Sequence, residues 1–184
     1  MATLATGMES ERVIRLATIA DIPGVARVHV DSWREIYRGI VPDVYLEGLS
    51  YERREQMWRS GLENPGWKGV LFVAEDPGHR VVGFVAGGPP QEPVEGFDCE
   101  LWAIYLLQVH QGQGVGRQLF RRFVEEMVQR GHGSMFLWVL AENPTVGFYQ
   151  RLGGVKVGEK EIEVGGKKLV EWSYGWRNLG VNKW

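Results

Sequence analysis

The chain has 184 residues, 44% of them hydrophobic, and a formal net charge of −2. That length supports one domain with a substantial core and is short for two. The near-neutral balance removes any overall electrostatic case for nucleic acid or an anionic membrane. The single cysteine, Cys99, excludes an intramolecular disulfide and fits a reducing cytoplasm. The residues before Val13 contain no apolar h-region, and no apolar run approaches the ~20 residues of a membrane span. Residues 1–12 read as a disordered tail, and Met8 is a second candidate start.

Val13–Ala17 reads as a first strand. Thr18 and Asp21 resemble a capping box, and Pro23 suits a first helical turn. A helix is expected to about Tyr37, burying Ile22, Val25, Val28, Trp33 and Ile36, with Gly39 and Pro42 breaking it. A second helical stretch covers roughly Tyr51–Leu62. Strands at Val70–Ala74 and Val81–Ala86 are joined by the turn Asp76-Pro77-Gly78. A Gly- and Pro-rich loop over 87–96 leads to a strand at about Cys99–Leu107. The next helix runs from Val115 to Arg130. Its apolar stripe is Val115, Leu119, Phe120, Phe123, Val124, Met127 and Val128, and Gly131 stops it. Ser134–Leu140 is a strand, giving a parallel β–turn–α–β unit. A short helix follows Asn143, with Pro144 at its first position, and ends at Gly153. Val155–Val164 and Lys168–Tyr174 form a closing hairpin around Gly165-Gly166.

The most informative segment is Gln111-Gly112-Gln113-Gly114-Val115-Gly116, set between a continuous apolar strand and an amphipathic helix. A glycine turn that opens a helix presents unpaired N–H groups at the positive end of the helix dipole, which is an anion site. A P-loop is excluded because Arg117 and Gln118, not Lys and Ser/Thr, follow Gly116. The dinucleotide fingerprint is excluded because its third glycine position holds Arg117. What remains is Gln/Arg-x-x-Gly-x-Gly/Ala, matched by Gln111, Gly114 and Gly116. This resembles the pyrophosphate signature of the GNAT superfamily of acyl-CoA-dependent N-acyltransferases, and the element order βααβββαβαββ over residues 13–176 is similar to that family's.

The resemblance implies a mixed α/β fold, with a central twisted sheet of six to seven strands and helices on both faces, in one domain. It implies acetyl-CoA as cosubstrate, its pyrophosphate at Gln111, Gly112, Gln113, Gly114, Val115, Gly116 and Arg117. Backbone groups of Ile104, Tyr105 and Leu106 would meet the pantetheine arm where this strand splays from the next at a bulge. Asn143, first of all an N-cap by its position, would also bond that arm. Phe148-Tyr149 resembles the family's Phe-Tyr pair, with the Tyr149 hydroxyl facing the sulfur to protonate the leaving thiolate. Glu100, eleven positions before Gln111, stands where the family often places a carboxylate that deprotonates the attacking ammonium. The chemistry needs such a base because a primary amine is mostly protonated at pH 7. Asp98 and Glu95 are nearby substitutes. Trp33 and Tyr37, one helical turn apart, fall where the family lines its acceptor pocket. Two departures stand out: Tyr149 follows Asn143 by six positions, one fewer than usual, and Gly153-Gly154 replaces Gly-Phe.

Cys99 reads as buried and inert, and the scattered histidines (His29, His79, His110, His132) give no metal constellation, so no metal is expected. The expected activity is N-acetylation of a small amine or a peptide N-terminus by direct attack. Nucleic acid and membrane are not expected partners, and a homodimer is compatible with the resemblance. Two alternatives keep the loop and change its use: a non-catalytic acyl-CoA-binding module, and a protein binding another phosphate ligand. Glu92, Glu95, Asp98 and Glu100 make the loop before the central strand acidic, which favours a cationic acceptor.

Overall fold

In the computed structural model, which describes residues 13–181, one sheet of seven strands runs through the chain in the order β1-β2-β3-β4-β5-β7-β6. The expected disordered tail at residues 1–12 lies outside the described residues. The strands are β1 (Ile14–Leu16), β2 (Val70–Glu75), β3 (Val81–Gly88), β4 (Cys99–Leu106), β5 (Ser134–Leu140), β6 (Val155–Val164) and β7 (Lys167–Arg177). The helices are α1 (Ile22–Ile36), α2 (Asp43–Glu47), α3 (Tyr51–Glu63), α4 (Val115–Gln129) and α5 (Val146–Arg151). All pairings are antiparallel except β4 with β5, as the β–turn–α–β unit requires.

Each sheet face has its own core, because α4 covers one face and α1 with α3 the other. Phe120, Phe123, Val124 and Met127 of α4 pack with Phe72, Val85, Leu101 and Leu137. Ile22, Val25 and Val28 of α1 and Trp58 of α3 pack with Leu71, Val73 and Phe84. Several local expectations are corrected by this packing. Val128, read as part of the α4 stripe, is exposed, and Trp33 and Ile36 are only half-buried, whereas Ser32 is fully buried. The Thr18–Asp21 motif caps a 3-10 turn at Ile19–Asp21 rather than α1 itself, with the Thr18 amide donating to Asp21 Oδ2 at 2.7 Å. A short helix, α2, follows the break at Gly39 and Pro42, burying Leu46 beside Tyr37 and Leu140. Pro144 precedes α5 instead of starting it, since the turn Asn143–Thr145 comes first.

Turn chemistry explains the sharp ends. Gly131 at φ 91° closes α4, with its amide on Val128 O and the His132 amide on Met127 O, both at 3.0 Å; this is a Schellman motif. Gly165 and Gly166, at φ 59° and 81°, make the two-residue turn between β6 and β7.

Two irregularities of β4 build the site. Its register with β3 shifts at Ala86/Gly87, so Cys99 and Leu101 face the α4 core, then Trp102, Ala103 and Tyr105 pack on the α1 face. Its pairing with β5 holds at Cys99–Met135 and Glu100–Phe136, and beyond them the strands part.

His29 of α1 is buried, and its Nδ1 accepts the Trp58 indole N–H at 3.1 Å. Burial, and then the Arg54 charge, pull it down to about 3, so it is neutral in the fold. An unfolded histidine titrates near 6.5. Between these values the unfolded chain holds a proton the native one lacks, so His29 costs no stability above the unfolded pKa and a growing amount as pH falls below it. The slope is about 1.4 kcal/mol per pH unit. Urea unfolding at about pH 7 and about pH 4.5 is expected to show this loss, and His29→Gln to flatten it by one proton. An equal slope in the variant would assign the acid lability to other groups.

Candidate active site

Gly114, the N-cap of α4, is left-handed at a φ of 81°, and Gly112 is left-handed at 71°. A Cβ at either would meet no atom within 4 Å, so the need for glycine is conformational, not steric. No side chain caps the helix, and its first turn holds no acidic residue. The positive end of the dipole is therefore open, and Arg117 adds to it. Gln111 holds the loop in place: its Nε2 donates to Leu106 O at 3.0 Å, tying the turn to the end of β4.

Where β4 and β5 part, a cavity of about 590 Å³ opens, a size suited to a small-molecule site. Ile104, Tyr105 and Leu106 form one wall, Trp138 and Val139 another. Gln111, Gly112, Gly114, Gly116 and Arg117 close one end, and Tyr37, Asn143, Phe148 and Tyr149 line it further. Of the remaining residues singled out from the sequence, Val115 turns its side chain into the α4 core. Gln113 is exposed, with Nε2 on Val109 O at 3.0 Å. Trp33 does not line the cavity; it packs 4.7 Å from Tyr37 and donates its indole N–H to Tyr105 Oη at 2.8 Å. Trp138, Thr145 and Arg151 line the cavity without having been singled out. Arg151 is the last residue of α5 and brings a second guanidinium to the site that also holds Arg117.

Asn143 does not cap α5, which starts from Thr145. Its Oδ1 accepts the Thr145 amide at 2.8 Å and the Thr145 hydroxyl at 2.7 Å, and its Nδ2 donates to Tyr37 Oη at 3.1 Å. One N–H of that amide is left for a ligand. Burial pushes the Tyr37 phenol up to about 12. Tyr149 is also buried, bonded to Thr145, and raised further by the same cause.

Glu100 stands outside the cavity lining, on the sheet face opposite Cys99 and Leu101. Its Oε2 accepts the Gln91 amide at 2.7 Å, and burial raises its pKa against the lowering effect of that bond and of Lys160. A carboxylate held partly dry is the state a general base needs. Asp98 is occupied differently, accepting the amides of Gly133 and Ser134 at 3.0 and 3.1 Å.

The fold brings His132 to the adjacent pair Asp98-Cys99, with potential ligand atoms within 4.8 Å of one another. These groups are already engaged: Asp98 as above, and the buried Cys99 thiol on Ser134 O at 3.3 Å. Burial lifts that thiol to about 12, so it is a poor thiolate donor. A second cavity, about 660 Å³, lies at the β2–β3 turn. There Arg80 pairs with Asp76 at 2.7 Å, Arg27 donates to the Val81 carbonyl at 2.6 Å, and Asp21 is held by Arg15 at 2.7 Å.

The Acetyltransferase (GNAT) family matches residues 30–154, a span that includes the cavity's glycine turn and the Phe148-Tyr149 pair. The chain belongs to the GNAT acetyltransferase family. It is 43% identical over 170 residues to the uncharacterized N-acetyltransferase YuaI of Bacillus subtilis, covering 92% of this chain and 95% of that one. The GNAT fold is matched at a TM-score of 0.69 and 19% identity by the PaiA N-acetyltransferase of Thermoplasma acidophilum in complex with coenzyme A, covering 91% and 99% of the two chains. A putative acetyltransferase of Salmonella typhimurium, solved with acetyl-CoA, matches equally at 0.69 and 19%, covering 91% and 94%. Among the described residues of this GNAT acetyltransferase, no helix is long and apolar enough to cross a membrane.

Proposed function

We propose that the protein binds acetyl-CoA between β4 and β5 and transfers its acetyl group to a primary amine by direct attack. The observation that carries this reading is that a single cavity joins the open positive end of α4 to the parted strands. The pyrophosphate would accept N–H groups of Gly112, Gly114 and Gly116, with Arg117 and Arg151 close by. The pantetheine amides would take backbone groups of Ile104–Leu106 that lack a partner on β5, and the spare N–H of Asn143. The relatives solved with coenzyme A and acetyl-CoA support the choice of cosubstrate.

Glu100, directly or through a water, would take a proton from the acceptor ammonium, and the free amine would attack the thioester carbon. Backbone N–H groups of β4 would polarise the carbonyl. The nitrogen gives its second proton to water, and collapse of the tetrahedral intermediate breaks the C–S bond, leaving the neutral amide and CoA thiolate. The buried Tyr149 phenol is a much weaker acid than a thiol, whose ordinary pKa is about 8.5. Full proton transfer to the thiolate is therefore uphill. Tyr149 would instead hold the developing thiolate with a charge-assisted hydrogen bond.

Thiol release from acetyl-CoA across a panel of amines and peptide N-termini tests the reading. Amine-dependent release is expected. In Tyr149→Phe, turnover should fall roughly ten- to hundredfold, the worth of one hydrogen bond to a charged group. Its acetyl-CoA affinity should hold, because the ring and its packing survive. CoA binding without release by any amine would favour the non-catalytic module.

A further inference from the structure

Beyond Trp138, which lines the cavity, lies a cluster of which the acetyl-transfer steps use only Glu100. Lys160 on β6 is the cross-strand partner of Glu171 on β7. Its ammonium lies 2.9 Å from Glu92 Oε2, 4.0 Å from Glu171 Oε2 and 4.4 Å from the centroid of the Trp138 ring. These are the parts of an ammonium site: two carboxylates and an aromatic face. Glu100 shares it, since the charges that act on its carboxylate are those of Lys160, Glu92 and Glu171.

Three features mark the cluster as more than a strap between β6 and the 89–98 loop. Glu92, Glu100 and Glu171 set three carboxylates against the one ammonium of Lys160. Ser173, partner of Trp138 in the sheet, is fully buried with a hydroxyl that has no hydrogen bond, and the Trp138 indole N–H also lacks one. An incoming ammonium would give the Ser173 oxygen a donor, whereas the indole N–H, itself a donor, would gain nothing from a cation. Finally, Lys160 and Glu92 can leave at low cost: their side chains are 34% and 75% exposed, against 20% for Glu171.

We propose that this site receives a second cationic group of the acceptor, taking the place of the Lys160 ammonium over Trp138, so that the preferred acceptors are diamines. The inference rests on the reading that an amine is acetylated beside Glu100. One nitrogen of the acceptor lies at Glu100 and the thioester, while the other lies between Glu171, Glu92 and the Trp138 face. The Lys160 side chain swings to solvent on its four-carbon stem. The Ser173 hydroxyl accepts one N–H of the incoming ammonium.

The test compares kcat/KM for α,ω-diamines of three to six carbons with that for monoamines of equal length. The best diamine is expected to lead by roughly tenfold or more, the worth of a partly desolvated cation on an aromatic face with a carboxylate. That lead should collapse toward parity in Glu171→Gln. Glu92→Gln, on an exposed loop, should reduce it in the same direction and serves where Glu171→Gln does not fold. Lys160→Met should lower KM for the diamine, because the resident competitor is gone. Parity of diamine and monoamine in the native protein, a lead that survives both glutamine variants, or a higher diamine KM in Lys160→Met would each overturn the proposal. Release of thiol by no amine at all would instead strike at the acetyltransferase reading beneath it.

Discussion

Replacing Glu100 by Gln is expected to lower kcat/KM by roughly 10²–10⁴-fold at pH 7, the range for loss of a positioned base. The pH dependence carries the diagnosis. With Glu100 ionised, the native protein can use the abundant ammonium form of the acceptor, so its rate should be level above the pKa of Glu100. Burial raises that pKa, so the acid limb of the profile should appear above the ordinary carboxylate range. The variant depends on pre-formed free amine, whose fraction grows about tenfold per pH unit up to an amine pKa near 10.4. Its profile should therefore climb across the neutral range and approach the native rate at high pH. An identical profile in the two proteins would remove Glu100 from the mechanism. Its neighbour Asp98 is a poor replacement, because both of its oxygens already hold the amides at 133–134.

Gly114→Val is expected to weaken acetyl-CoA binding by at least two orders of magnitude, with the rest of the fold retained. The position requires a φ of 81°, which a β-branched residue adopts only at a cost of roughly 1–3 kcal/mol. Nothing lies within 4 Å of the added Cβ, so the strain is not relieved by moving a neighbour. The turn would relax toward negative φ and rotate the first N–H groups of α4 away from the phosphates. Calorimetric titration with acetyl-CoA, beside a thermal melt of the unliganded protein, separates the two effects. Native affinity in Gly114→Val would move the pyrophosphate to another place.

Much of this fold was legible because its strongest signals are local. The left-handed glycines at 112, 114, 131, 165 and 166 each sit where a turn or helix end demands them. The α4 stripe and the Gly165-Gly166 hairpin are read from neighbours in sequence. What stayed hidden depends on register between distant strands. Lys160, Glu171 and Trp138 come together only because β7 inserts between β5 and β6, an order that no spacing in the chain encodes. From sequence Asn143 reads as a cap of α5 because an Asx turn and an N-cap use the same residue type in the same place. The short helix α2 escaped notice because Leu46 gains its partners, Tyr37 and Leu140, only in the folded protein.

The parting of β4 from β5 also has a mechanical meaning. Among the described residues, two ladder pairs, at 99–100 and 135–136, stitch β1–β4 to β5–β7 within the sheet, so the two blocks meet at a seam. The core beneath α4 bridges that seam, with Leu119 and Phe123 in the same cluster as Val85 of one block and Val139 of the other. On the other face Tyr105 of β4 shares a cluster with Leu140 of β5 and Leu169 of β7, so packing on both faces adds to the few backbone hydrogen bonds across the seam. A molecule that lies in the gap and bonds to the edge of β4 supplies the missing rung of the ladder. The amides of that edge would then trade solvent for a partner, and their hydrogen exchange would slow with occupancy. Such a molecule would extend the contact between the two blocks beyond the pairs at Cys99–Met135 and Glu100–Phe136.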